Sequence, residues 1–107
     1  MMIQHDAMNM VRSGLMARID AIAAQGGTIS LPRICEQIDI IRHDARAYGL
    51  EPLERLASTL ESALARHGLG PVVLSYLDLM RDAVESEDTS PEASQVFLAA
   101  LSLRIGH

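Results

Sequence analysis

No lysine occurs in this chain; all nine basic residues are arginine. Tryptophan is absent too, and Phe97, Tyr48 and Tyr76 are the only aromatics. A core without aromatic bulk has to be filled by Leu, Ile, Val, Ala and Met, which suits a helical bundle. Cys35 is the single cysteine, which excludes an internal disulfide framework, and no Cys/His pair stands at zinc-ligand spacing, so no metal is expected. Nowhere do about 18 apolar residues run together as a membrane span requires. The opening stretch MMIQHDAMNM lacks the basic and apolar segments of a signal peptide, and together these absences predict a cytoplasmic protein. The net charge of −5 and the lack of a basic patch interleaved with aromatics argue against nucleic acid as a partner. Gly-rich phosphate loops, the Gly-x-Ser-x-Gly elbow and His-Glu-x-x-His are all missing, so no hydrolase-type enzyme and no cofactor is expected.

What is present is helical periodicity from end to end. A chain of 107 residues has room for one domain with one core. From about Asp6 to Ala24, Met8, Val11, Leu15, Ile19 and Ile22 recur at threes and fours, the spacing that stacks side chains on one helix face, and Gly26-Gly27 ends the run. Ser30 to Gly49 is the next helix, with Ser30 as N-cap, Pro32 in the first turn and Gly49 at the left-handed position beyond the end. Its apolar face is Ile34, Ile38, Ile41, Ala45 and Tyr48, and we take it as the helix about which the others are arranged. Leu53, Leu56, Leu60 and Leu64 follow at once, and so short a link requires an antiparallel neighbour. A fourth helix opens at Gly70-Pro71 and buries Val73, Tyr76, Leu77, Met80 and Val84 before an acidic loop. The fifth starts at Ser90-Pro91-Glu92 and turns Val96, Phe97, Ala100, Leu101 and Ile105 inward. The expected fold is all-α, an up-and-down antiparallel bundle of five helices with a four-helix core.

The second helix carries a polar stripe, Asp39, Arg42, His43 and Arg46, about 140° from its apolar face at 100° per residue. None of these side chains is needed for burial, so the stripe is expected to face outward and to hold whatever site the chain has. On its own, such a ladder of opposite charges is a solvated face with i,i+3 and i,i+4 pairing. Asp39 and Asp44 point different ways and cannot act as a paired general acid and base.

The same residues resemble the histidine-containing phosphotransfer (HPt) domains of bacterial phosphorelays, and most closely the phosphotransfer domain of CheA-type chemotaxis kinases. In that family a bundle helix carries His-x-x-Lys-Gly, an aromatic-Gly pair lies six and seven residues past the lysine, and a Leu-rich helix follows. Tyr48-Gly49 is similar to the aromatic-Gly pair; Leu53, Leu60, Glu61 and Leu64 are similar to the leucines and a glutamate of the next helix. The stretch from Val72 to Ile105 resembles the last two helices, acidic loop included. Counting back from Gly49 puts Asp39 at the place of the phosphorylated histidine, Arg42 at that of the lysine and His43 at that of the glycine.

The resemblance therefore implies a degenerate HPt-like domain of a two-component system that docks a response-regulator receiver domain or a histidine kinase without accepting phosphate. Asp39, Ile40, Arg42, His43 and Arg46 would form the docking face, with Ile40 as apolar anchor. In an alternative register His43, Arg46 and Ala47 imitate the motif, and His43 becomes the phosphoacceptor of an active phosphotransfer protein. A third reading, unrelated to signalling, is a helical interaction protein or homodimer with Met1, Met2, Met8, Met10 and Met16 forming an adaptable surface.

Overall fold

The periodic segments become α1 (Gln4–Gln25), α2 (Leu31–Ala47), α3 (Glu51–His67), α4 (Val72–Glu85) and α5 (Pro91–Ile105). This computed structural model describes residues 4–106, with side chains from Asp6 onward, and no strand occurs among them. A short 3-10 turn, Gly26–Thr28, follows α1. The helix starts at Ser30 and Ser90 form as the sequence requires: each serine oxygen accepts from the backbone N–H three residues on, at 3.3 Å from Arg33 and 3.1 Å from Ala93, and a proline occupies the first turn.

Consecutive helices pack on one another and α1 closes the ring against α4, while α5 lies outside the ring across α3 and α4. The all-α up-and-down bundle is thus as expected. Its hub is different. α3 packs against α2, α4 and α5, whereas α2 touches only α1 and α3. The reason is the width of the apolar stripe: α3 buries Pro52, Leu53, Leu56, Ala57, Leu60 and Leu64, wide enough to serve three neighbours as the stripe of α4 also does, while α2 buries only Ile34, Ile38, Ile41 and Ala45. Buried apolar residues from all five helices form one contiguous core.

Two residues expected inside are outside. Tyr48 is 51 % exposed, because α2 ends at Ala47 and the chain turns back through Gly49 at φ +71°. The N–H of Leu50 donates to the Ala45 carbonyl at 2.8 Å and that of Gly49 to the Arg46 carbonyl at 3.3 Å, the paired bonds of a Schellman stop. Leu50, buried against the same end, takes the core place expected of Tyr48. Val96 is 69 % exposed, since α5 turns Ala93, Ser94 and Leu101 inward, with Phe97 and Leu98 partly covered. This helix is apolar nearly all round from Val96 to Leu103, so periodicity alone leaves its rotation open and the seat offered by α3 and α4 selects it. Of the methionine surface, Met8 and Met16 pack against the core and Met10 is exposed, so no continuous patch forms from these three; Met1 and Met2 lie outside the described residues.

Candidate functional site

The α2–α3 hairpin is joined only by Tyr48, Gly49 and Leu50, so the two helices run antiparallel and share one outer face. The polar stripe of α2 lies on that face, with Arg42 nearest the seam. Arg42 is not a free surface cation. Its Nε donates to Oε1 of Glu61 on α3 at 2.8 Å, and its Nη2 donates to Oδ1 of Asp39 one turn back at 2.8 Å. The Arg42 side chain is 27 % exposed. The expectation that the whole stripe faces outward fails here. A planar fork with donors on two edges can satisfy carboxylates from two helices at once, and Arg42 clamps α2 to α3 in this way. The hydrogen bonds it donates to Asp39 and then to Glu61 hold its pKa above the usual arginine value. It stays charged at every accessible pH.

His43 sits on the outer side of this clamp with its side chain 63 % exposed. Its Nδ1 is 2.8 Å from the backbone carbonyl oxygen of Asp39 and 3.4 Å from Oδ2 of the same residue. Both neighbours are acceptors, so Nδ1 carries the proton. In the neutral ring Nε2, on the far side from the helix, is then the unprotonated nitrogen and keeps its lone pair. Arg46 is exposed and makes no ion pair among the described residues, and Ile40 is half-buried beside the stripe. The face thus carries two carboxylates bound to one guanidinium, an imidazole with an outward lone pair, and one free arginine at its end.

The structure brings Asp39, Arg42 and His43 into direct contact and leaves Arg46 apart from them. It adds Glu61, whose bond to Arg42 crosses between helices. Helix spacing lists pairs within one helix only, so this partner was not legible as such; an antiparallel hairpin of two charged amphipathic helices is the signal that could have suggested it. Cys35 is half-buried, and among the described residues no three His, Cys, Asp or Glu side chains group so as to hold a metal ion. No helix among them is long and apolar enough to cross a membrane. Comparison of the chain with protein-family models, curated proteins and solved structures gives no match.

Proposed function

We propose that this chain is an HPt-like docking module that offers its α2–α3 face to a response-regulator receiver domain or a histidine kinase and accepts no phosphoryl group at Asp39. The observation that carries this reading is the closed Asp39–Arg42–Glu61 clamp. A carboxylate at the acceptor place has no nitrogen nucleophile, and here its Oδ1 is already engaged by Arg42. The clamp also ties α2 to α3 across this face. Binding would act by occupancy, blocking a regulator or holding it near its kinase. Arg46 and His43, both exposed, are the side chains able to reach a partner without breaking the clamp.

The hydrogen bond at His43 favours a second reading, in which this residue is the acceptor. With Nδ1–H held by the Asp39 carbonyl, the Nε2 lone pair is available to attack the phosphorus of a receiver's aspartyl phosphate. The N–P bond forms as the acyl phosphate P–O bond breaks, and the electron pair leaves on the receiver carboxylate. One experiment separates the readings. Receiver domains carrying labelled phosphate are mixed with the wild type, Arg46→Glu and His43→Ala, and both label and affinity are followed. Docking without transfer predicts no label on the protein and at least about tenfold weaker binding by Arg46→Glu at unchanged melting temperature, on the scale of one lost charged contact. Acid-labile label that disappears in His43→Ala establishes the second reading instead. Equal receiver affinity for wild type and both variants, or no binding at all, refutes docking through this face.

A further inference from the structure

A groove of about 500 Å³ runs between α3, α4 and α5, on the side of the bundle away from α2. Its walls are apolar along α5, where Leu98, Leu101 and Ile105 line it, and polar toward the last turn of α3, where Arg66 and His67 stand beside Tyr76 of α4. A chain with fourteen acidic residues places none of them in this groove. Arg66 makes no ion pair among the described residues, in contrast to Arg33, Arg42, Arg55, Arg81 and Arg104, each of which holds a carboxylate. Tyr76 is 3 % exposed and lines the groove. Burial raises its pKa, and the nearby Arg66 charge offsets part of that rise, so the phenol stays a donor at neutral pH. His67 offers an N–H in either protonation state.

Three side chains able to donate, one of them permanently cationic, line the polar end of a mostly apolar groove that holds no acidic residue. The volume lies in the range of small-molecule sites, and the lining has their usual makeup of apolar walls with a few orienting polar groups. Charge complementarity points to an occupant with one anionic head and an apolar body. We propose that the groove between α3, α4 and α5 binds a single-chain amphiphile with a carboxylate head, a medium-chain fatty acid in its simplest form, with Arg66 and Tyr76 on the head and Leu98, Leu101 and Ile105 along the tail. The fork of Arg66 matches a carboxylate in a way an ammonium would not. This site is separate from the α2–α3 face, and the inference does not depend on the function proposed for that face.

The test is titration of the full chain with decanoate, well below the concentration at which it forms micelles, followed by calorimetry and by amide chemical shifts. Saturable one-to-one binding is expected, with shifts confined to the ends of α3 and α5 and the start of α4. Decanol, which keeps the tail and loses the charge, is expected to bind about ten- to a hundredfold more weakly, and Arg66→Gln to weaken decanoate by a similar factor. Arg66 is exposed, so that variant retains the fold. Ala63→Leu, which fills the groove from α3, should abolish binding while a urea titration confirms that it folds. Equal affinity for decanol and decanoate, indifference to Arg66→Gln, or shifts spread over the whole surface overturns the proposal. So does binding only to anionic phospholipid vesicles, since the groove would then be reading a bilayer surface and not a single molecule.

Discussion

If α3 is the hub of the bundle, truncating it should cost more than truncating α1 at equal burial. Leu60 is completely buried at the middle of α3, and Leu15, 2 % exposed, lies within α1. Replacing Leu60 by Ala removes three buried carbons, about 2.4 kcal/mol of transfer free energy at about 0.8 kcal/mol each. If the surroundings do not move, those carbons leave a void of about 80 Å³, which adds about 2 kcal/mol at about 24 cal/mol per Å³. Helices on three sides of α3 hinder collapse into the void, so the full cost of about 4 kcal/mol is expected. Leu15 belongs to a helix that meets only α2, α4 and the turn after it, and an outer helix can settle inward, so Leu15→Ala should stay near the transfer cost of about 2.4 kcal/mol. Urea denaturation followed by circular dichroism measures both. Leu60→Ala should also lower Tm by roughly 15–30 °C, given about 4–8 °C per kcal/mol for a domain of this size. A Leu60→Ala cost equal to or below that of Leu15→Ala, at unchanged m-value, would refute the hub assignment.

Gly49 holds φ at +71° in open space, so Gly49→Ala meets no clash but is forced into the left-handed region. A loss of about 1–2 kcal/mol in urea denaturation is expected, and a neutral result would show that the turn re-forms another way. In the loop between α4 and α5, Oδ1 of Asp88 accepts from the Ser90 N–H at 3.0 Å, and hydrogen bonding from Ser90 lowers its pKa. A carboxylate whose folded pKa is depressed adds stability that is full above its unfolded value of about 3.9 and is lost as pH falls through the folded pKa. The urea midpoint of Asp88→Ala should therefore trail the wild type at pH 7 and converge with it in strong acid; a gap that persists at low pH contradicts the assignment.

The legibility of the chain followed the strength of its apolar stripes. In α3 and α4 every apolar residue expected inside is buried, from Leu53 to Leu64 and from Val73 to Val84, because polar residues on the opposite faces leave one orientation open. The serine-proline starts of α2 and α5 were equally plain, since capping is satisfied within four residues. Val96 lies outside against expectation for the opposite reason: with Leu98, Ala99, Ala100 and Leu103 all apolar, several rotations of α5 look alike. Tyr48 departs from expectation because the helical period does not continue past a stop, and the Schellman turn transfers its place to Leu50. Within the candidate site, the contacts of Arg42 and His43 with Asp39 follow from i,i+3 and i,i+4 spacing and were visible in advance.

By itself the sequence determined the all-α class, the order and approximate ends of the helices, and the placing of Asp39, Arg42, His43 and Arg46 on one side of α2. These are local properties, set by hydrogen bonds and side-chain directions within a few turns of one helix. Only the tertiary structure decided that α3 is the hub, that Arg42 is a clamp to Glu61, and that Arg66 and Tyr76 line one groove. Each depends on which helices become neighbours and how each is rotated. That choice is made by the fit of whole apolar faces, a sum over residues far apart in the chain that no short window contains.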